Sequence, residues 1–159
     1  MNKNYLLLNL LIVLLVINGL VWQKEKILRS AQSVLLPLAP RDPRSLMQGD
    51  YMVLRYRMAQ KVDNQRGTAT DGFAVVKLDE NNVGTFMELW LGRKLGPKEQ
   101  LLRYRYRNGQ VRFGAESFFF QEGKANLFQR ARFGELRVAE SGDAILVGLR
   151  DDKLNKLGH

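Results

Sequence analysis

Hydrophobic residues near the amino terminus form one 18-residue run from Tyr5 to Trp22, interrupted only by two asparagines and a glycine. A helix rises about 1.5 Å per residue, so the run would span about 27 Å, close to the roughly 30 Å of a bilayer's hydrocarbon core. Aromatic rings at both ends favour the membrane interface. The run therefore predicts a transmembrane anchor over residues 1–22. A cleaved signal peptide is the alternative, although no clear Ala-x-Ala site follows the run.

A charged juxtamembrane segment, residues 23–33, is predicted to follow the anchor. Lys24, Lys26 and Arg29 lie on this side of the run, and a literal count of flanking positive charge would place the domain in the cytoplasm. Long domains translocate largely regardless of that charge, and a short basic tail is also how an export signal begins. We therefore expect the domain to face outward.

Beyond residue 33, polar and apolar positions alternate, which is the pattern of half-buried β-strands. Val34–Leu38 precedes a proline-rich stretch and is expected to be an edge strand. The remaining predicted elements are Tyr51–Met58, the hairpins Gly72–Leu78 with Val83–Trp90 and Glu135–Ala139 with Ala144–Leu149, the strand ending in Phe118–Phe120, and one helix over Glu122–Arg132. The predicted fold is mainly β: an N-terminal transmembrane helix followed by an antiparallel β-sandwich or partly open barrel of about seven strands with one short helix.

The alternation also assigns side chains to the core of this β-rich domain, residues 34–150. In the first long strand it directs Met52, Leu54, Tyr56 and Met58 inward. In the last hairpin it places Leu136 and Val138 opposite Val147 and Ile145. Residues 151–159 form a polar tail that is expected to fray.

The clearest local signal is Asn108-Gly109 between two alternating runs, Leu101–Arg107 and Gln110–Phe113. Asn-Gly favours a two-residue hairpin turn because both central residues need a positive φ. The turn predicts four opposed pairs: Arg107–Gln110, Tyr106–Val111, Arg105–Arg112 and Tyr104–Phe113. One face is then apolar, and the other carries a cluster that we name the arginine face: Arg103, Arg105, Arg107 and Arg112. Opposed arginines repel, so this face needs carboxylates, an anionic partner or simply water.

The chain's formal charge of +9, from 25 Lys and Arg against 16 Asp and Glu, favours anionic partners. An anchored protein is more suited to lipid or protein than to nucleic acid. There are no cysteines, which excludes disulfides, zinc–thiolate sites and thiol catalysis, and the only histidine is the terminal His159. No metal, cofactor or histidine-dependent catalysis is therefore expected.

The remaining chemistry is limited to a serine–lysine pair or paired carboxylates. Ser45 precedes Gly49-Asp50 in an order faintly similar to that of signal-peptidase-like hydrolases, with Lys77 as the nearest lysine, but the spacing is too short. Glu122 and Glu135 flank the predicted helix and could form a carboxylate pair. Capping and ion pairing with Arg130, Arg132 or Arg137 explains these acids equally well.

One octapeptide, Gly49-Asp50-Tyr51-Met52-Val53-Leu54-Arg55-Tyr56, matches at every specified position the motif that names the bacterial GDYXXLXY family. The lead-in Pro40–Leu46 and the blocks Phe120–Gly123 and Ala131–Val138 also resemble that family. The chain is thus similar to the family over nearly its whole length, anchor included. The positions singled out by this resemblance are Asp42, Pro43, Arg44, Gly49, Asp50, Tyr51, Leu54, Tyr56, Gln121, Glu122, Gly123, Arg132, Gly134 and Glu135.

The resemblance implies a membrane-anchored bacterial protein that often accompanies a polytopic membrane protein. It supplies no catalytic residues. With the outward orientation expected from the residues around the anchor, the predicted location is the bacterial inner membrane, with the domain in the periplasm. From the residues alone, Gly49-Asp50 is expected to end a turn, Leu54 and Tyr56 to enter the core, and Tyr51 to point to the opposite face. Structural roles and a ligand or partner site both remain open for this set.

The expected function is that of a non-enzymatic, membrane-anchored accessory protein that binds a polytopic membrane protein through its helix and its arginine face. The alternative is a module that binds anionic lipid or an envelope polymer. A serine-type hydrolase is the least favoured of the three. No cofactor, metal or nucleic acid is expected as a partner.

Overall fold

The computed structural model describes residues 3–30, 32–40, 51–121 and 123–158. The chain divides after residue 31 into two compact units. The first contains the helix α1, Lys3–Ser30. Its large apolar side chains between Leu8 and Trp22 are exposed, and the Asn18 amide donates a 2.8 Å hydrogen bond to the Leu14 carbonyl of the same helix. No helix in the described ranges is both long enough and apolar enough to cross a membrane.

The second unit is mainly β, with curled antiparallel sheets and short helices. Its elements are β1 (Gln32–Pro37), β2 (Tyr51–Val53), α2 (Arg57–Gln65), β3 (Asp71–Leu78), β4 (Gly84–Leu89), β5 (Glu99–Arg107), β6 (Gln110–Arg112), β7 (Ser117–Phe119), α3 (Ala125–Phe128), β8 (Phe133–Val138), β9 (Ala144–Arg150) and β10 (Lys156–Leu157).

The described strands form three sheets. Two have four strands, in the orders β1-β8-β9-β10 and β4-β3-β5-β6, and β2 pairs with β7 in a sheet of two. A short parallel bridge between Leu35 and Val83, with a 2.8 Å hydrogen bond from Leu35 N to the Asn82 carbonyl, joins the two larger sheets. Because both larger sheets contribute side chains such as Leu136 and Leu102 to one buried cluster, they share a single hydrophobic core.

The predicted edge strand and hairpins are confirmed. β1 lies at the edge of its sheet, β3 pairs antiparallel with β4, β5 with β6, and β8 with β9. Within the last hairpin the predicted register is wrong, because Leu136 lies opposite Leu146 and Val138 opposite Ala144. The predicted offset holds only for Phe133–Glu135, because a bulge leaves Val147 of β9 unpaired and shifts the pairing of the three residues nearer the turn by one.

The prediction of one strand over Tyr51–Met58 is wrong in its second half. β2 ends at Val53, and α2 begins at Arg57. Met58 and Val62 are both buried, as expected for one face of a helix, where residues four apart are neighbours. The alternation of polar and apolar residues up to Met58 fits a strand, so it does not show that the chain becomes helical at Arg57. All four residues assigned to the core in this segment are buried nevertheless: Met52, Leu54, Tyr56 and Met58.

The helix predicted over Glu122–Arg132 is reduced to the single turn α3. Phe128 is buried there because its ring packs against Phe118 and Phe120, with centroids 5.0 Å and 5.2 Å away. An aromatic cluster, rather than a helical stripe, therefore explains the apolar spacing.

The expected fraying of the polar tail is also wrong for the residues described. β10 pairs with β9, and Leu157 is buried. The turn before it is held by the Asp151 carboxylate, which accepts hydrogen bonds from the Lys153 and Asn155 backbone N–H groups at 2.9 Å and 2.8 Å. Burial acts to raise the pKa of Asp151, but these bonds outweigh it and hold the pKa below its usual value.

Candidate binding surface

The arginine face lies on a hairpin whose turn has the predicted geometry. Asn108 and Gly109 have φ angles of 51° and 74°, the left-handed conformation that a two-residue turn of this kind requires. The register of β5 and β6 confirms three predicted pairs: Arg107–Gln110, Tyr106–Val111 and Arg105–Arg112. The turn thus places Arg105 directly opposite Arg112 on the solvent side of the sheet, where both are exposed.

Two of the four arginines on this face are used within the fold. The Arg103 guanidinium lies 3.6 Å from the Asp143 carboxylate, and its backbone N–H donates to the Gly142 carbonyl at 2.8 Å. Arg103 therefore helps to hold the β8–β9 turn against the edge of β5. The Arg107 guanidinium donates a 3.0 Å hydrogen bond to the Tyr106 carbonyl.

Arg105 and Arg112 are different, since neither side chain makes a hydrogen bond or ion pair with any residue that the structure describes. Asp71 lies opposite Arg105 on β3 and still forms no ion pair with it within 4.0 Å. Like charges opposed across a sheet destabilise it by up to about 1 kcal/mol. The pair therefore offers two unneutralised guanidinium groups at a small cost in stability.

Arg93 shows how acids elsewhere in the fold neutralise an arginine. Its guanidinium lies 2.5 Å from Glu88 and 2.6 Å from Glu99. The hydrogen bond from Arg93 holds the pKa of Glu99 below its usual value. The same loop is closed by the Trp90 indole N–H, which donates to the Arg93 carbonyl at 2.7 Å.

Glu135 forms the most buried ion pair described, with a side chain only 9% exposed. Arg150 Nε donates to its Oε2 at 3.0 Å, and the Ser33 hydroxyl donates to its Oε1 at 3.3 Å. Burial acts to raise the pKa of Glu135, but Arg150 and Ser33 outweigh it, so the pKa lies below its usual value. The ion-pair partner is Arg150, not one of the three arginines suggested by sequence proximity.

Tyr56, a residue of the family motif, is only 3% exposed. Its hydroxyl donates a 2.5 Å hydrogen bond to the Ala115 carbonyl, and its ring meets the edge of Phe113 with centroids 5.8 Å apart. Burial, with a further contribution from the charge of Glu116, raises the pKa of Tyr56 well above its ordinary value. The phenol therefore stays neutral and acts as a donor that joins the start of α2 to the loop after β6.

Gly134 makes room for that tyrosine. A Cβ at position 134 would lie 3.0 Å from Tyr56 Cε1 and 3.1 Å from its hydroxyl oxygen, which is tighter than ordinary contact. The octapeptide motif and the block around Gly134 are thus joined by one close contact.

The other motif positions are dispersed in the second unit. Leu54 is 2% exposed, and the backbone of Arg132 links β1 to β9 by accepting from Leu38 N and donating to the Arg150 carbonyl, both at 2.8 Å. Gln121 and Gly123 lie in the turn before α3, where Gly123 has a φ of 82°. Six predicted positions lie outside the described residues: Asp42, Pro43, Arg44, Gly49, Asp50 and Glu122.

Tyr51 lies on the outer face of the β2–β7 sheet. It pairs in register with Phe119, and the two rings have centroids 5.8 Å apart. Phe119 is 73% exposed, and Val53, two residues along the same face, is 57% exposed. We name these three residues the aromatic patch. Apolar exposure of this kind next to polar residues is typical of interaction sites.

A groove of about 560 Å³ adjoins this sheet at Val53 and runs between the edge strand β6 and residues 53–63, which include most of α2. We name it the β6 groove. Its polar lining includes Arg55, Arg57, Arg112, Asp63 and Glu116. Arg57 Nε donates to the Leu38 carbonyl at 3.1 Å, while the Arg55 side chain makes no contact of this kind with any described residue. The groove therefore joins the family motif to the arginine face through Arg112.

Sequence reasoning missed Arg55, the groove and the aromatic patch. Arg55 and Val53 fall on the wetter face of the alternating segment, and nothing local shows that β7 and β6 bring Phe119 and Arg112 beside them. Ser45 of the hydrolase alternative lies outside the described residues, and Lys77 is exposed on β3. Among the residues described, no group of His, Cys, Asp and Glu could hold a metal ion.

Comparison with known proteins gives one match. The model of the GDYXXLXY protein family matches residues 13–149, which is most of the chain. The chain belongs to the GDYXXLXY family. No curated protein and no solved structure matches it. The family resemblance noted from the motif is confirmed, and the described part of the motif, residues 51–56, spans β2 and the segment that leads into α2 along the β6 groove.

Proposed function

We propose that this GDYXXLXY protein is a non-enzymatic accessory protein that binds an acidic surface of a membrane protein through its arginine face. One observation carries the proposal: Arg105 and Arg112 are exposed, directly opposed and unneutralised by any described residue. An anionic partner would turn their mutual repulsion into attraction. Guanidinium groups suit this role because they bind carboxylates in a bidentate geometry and are weakly hydrated.

The proposal includes attachment of the chain to a bacterial inner membrane through α1, with the second unit on the periplasmic side. Support comes from the uncharged run Tyr5–Trp22 and from the exposure of the apolar side chains between Leu8 and Trp22. The finding that no described helix is long and apolar enough to span a membrane stands against an anchor. The proposal gives more weight to the amino-acid sequence than to this finding. The apolar run in the sequence begins at Tyr5, whereas the side chains described in α1 begin at Leu8.

Fractionation of cells that express the full-length chain tests the attachment alone. We expect the protein in the membrane fraction after a high-salt wash, because burial of apolar side chains does not weaken with ionic strength. Recovery in the soluble fraction with the amino terminus intact would contradict the attachment.

Affinity purification of the full-length protein from detergent-solubilised membranes tests the binding face. The doubly reversed variant Arg105→Glu with Arg112→Glu should lose a co-purifying membrane protein by at least about tenfold, equivalent to about 1.4 kcal/mol. The matched control is Lys124→Glu with Arg130→Glu, which changes the charge equally at two exposed positions elsewhere. Equal recovery from the two variants would overturn the proposal.

Anionic lipid is the alternative ligand for the same charges, and vesicles distinguish it. The purified second unit, which lacks α1, should bind vesicles rich in phosphatidylglycerol only weakly, and its binding should not differ between the two double variants. Strong, salt-sensitive binding that only the Arg105 and Arg112 reversal abolishes, with no co-purifying protein, would replace the protein partner with a lipid surface.

A further inference from the structure

We infer that the β6 groove is the docking site for an extended segment of the partner that carries acidic side chains alternating with apolar ones. This docking mode rests on the proposed function, since it specifies which part of the acidic partner is bound and by which residues. Three features of the groove support it: its unneutralised charge, its free strand edge and the adjoining aromatic patch.

The charges that line the groove favour an anion. Arg55 and Arg112 have no hydrogen-bond or ion-pair partner among the described residues. The two acids in the lining are already engaged. Asp63 Oδ1 lies 2.6 Å from Arg66 Nε, and Glu116 Oε1 accepts a hydrogen bond from the Phe113 backbone N–H. An incoming carboxylate would therefore meet two free guanidinium groups, while Asp63 is paired with Arg66 and Glu116 accepts from a backbone N–H.

The strand edge favours an extended backbone. β6 is the last strand of its sheet and pairs with β5 alone. In a two-residue hairpin the residues that flank the turn, Arg107 and Gln110, form a hydrogen-bonded pair, and such pairs alternate along the ladder. Val111 is next in line, so its N–H and C=O point away from β5, towards the groove that Val111 lines. A strand added there would find both a donor and an acceptor.

The aromatic patch favours apolar residues at alternate positions of the bound segment. Val53 belongs to both the patch and the groove lining, and Phe119 lies on the same face of the β2–β7 sheet. An extended segment directs successive side chains to opposite sides. Acidic side chains could therefore reach Arg55 and Arg112 while the intervening ones cover Val53 and Phe119.

The dimensions of the groove also suit a short segment rather than a lipid surface. Its volume of about 560 Å³ lies within the range of roughly 300–1,000 Å³ typical of ligand pockets. A flat bilayer surface could meet Phe119 and the arginines, but it could not pair with the backbone of Val111. Only an extended chain uses all three features together.

The direct test is binding of a fluorescent peptide of alternating glutamate and valine to the full-length protein in detergent, followed by anisotropy. We expect saturable binding that is at least about tenfold tighter than that of the matched lysine–valine peptide. Methylation of alternate backbone nitrogens should abolish it, since that removes strand pairing and leaves charge unchanged. Equal binding of the glutamate and lysine peptides, or of the methylated peptide, would overturn the docking mode.

Variants of the protein locate the peptide. Arg55→Glu and Val53→Asp should each weaken binding at least about fivefold, whereas Lys124→Glu, of equal charge change at a distant exposed position, should not. Thermal unfolding of each variant confirms that the fold is retained. Peptide binding that is unaffected by both Arg55→Glu and Val53→Asp would exclude the groove.

The same variants separate this inference from the proposed function. Suppose that Arg55→Glu and Val53→Asp leave recovery of the membrane partner intact while the Arg105 and Arg112 reversal abolishes it. The groove is then not the docking site, whereas the arginine face is still the binding surface. Loss of the partner in all of these variants supports both proposals. Retention of the partner in every variant overturns both.

Discussion

Two regions of the second unit use arginine in opposite ways. Arg150 is the last residue of β9, and its Nε lies 3.0 Å from the Glu135 carboxylate and its Nη1 2.8 Å from the Leu154 carbonyl. Arg105 and Arg112 face each other across a hairpin with no described partner. The same side chain is thus part of the folded framework in one region and is left unneutralised in the other.

The difference follows from where each arginine lies relative to the core. Glu135 is almost fully buried, and a buried carboxylate is costly unless a cation and hydrogen bonds accompany it. Arg150 and Ser33 meet that requirement. Arg105 and Arg112 lie over solvent, where the fold requires no partner for them. We therefore expect changes near Glu135 and Tyr56 to alter stability and changes to the arginine face to alter binding.

The largest expected effect on stability comes from replacing Tyr56, which is buried in the core. Tyr56→Ala should lower the free energy of unfolding by about 3–5 kcal/mol, because it removes a buried ring and leaves a cavity. Chemical denaturation measures this loss. If that variant does not fold, Tyr56→Phe isolates the hydroxyl and should cost roughly 1–3 kcal/mol by leaving the Ala115 carbonyl unpaired. A loss below about 0.5 kcal/mol for Tyr56→Phe would contradict the framework role.

Glu135→Gln should cost roughly 3 kcal/mol at neutral pH, because it leaves Arg150 without its counter-charge. The pKa of Glu135 is lower in the folded protein than in the unfolded chain. Its contribution is therefore complete above its ordinary pKa of about 4.3 and is lost as pH falls through the lower folded value.

Denaturation at neutral and acid pH measures the Glu135 contribution. The gap between the wild type and Glu135→Gln should narrow as pH falls below about 4. Glu140→Gln, at an exposed turn, is the control and should leave stability unchanged throughout. A gap that does not depend on pH would contradict the ion-pair account.

Gly109→Ala should cost about 1–2 kcal/mol, because a φ of 74° is unfavourable for a residue with a Cβ. This substitution affects binding as well as stability, because Gly109 sets the register that opposes Arg105 and Arg112. Partner binding should weaken along with hairpin stability. NMR cross-strand contacts between Tyr106 and Val111 report the register directly, and an unaltered register with normal stability would show that the turn does not set it.

The positions of the hairpins could be predicted because their turns carry local sequence signals. Asn108-Gly109 specifies both the turn and the pairing of its flanking strands. The Glu135–Arg150 pair could not be predicted in this way, since it depends on a bulge in β9 and on the position of Arg150 across the sheet. The change from β2 to α2 could not be predicted for a related reason. The alternation of polar and apolar residues continues up to Met58, so it does not show where the helix begins.

The candidate binding surface was predicted only in part. The arginine face follows from turn geometry, but which of its arginines are neutralised does not. Asp143 reaches Arg103 because the β8–β9 turn lies along β5, a contact between segments 40 residues apart. The β6 groove and the adjoining aromatic patch were inaccessible to sequence reasoning because Arg55, Arg112 and Phe119 come from three separate segments.

The smallest expected effect on stability is also the most informative. Arg112→Glu replaces a like-charge pair by an opposite-charge pair and should raise the free energy of unfolding by roughly 0.2–1 kcal/mol. Thermal unfolding of the full-length protein checks the sign. A loss of stability would show that Arg112 has an internal role comparable to that of Arg150.

Thermal unfolding and partner recovery, measured together on Arg112→Glu, show whether Arg112 serves binding and not the stability of the fold. We predict unchanged or slightly increased stability with at least about tenfold lower recovery of the membrane partner. Full recovery of the partner by this stably folded variant would contradict the assignment of Arg112 to binding.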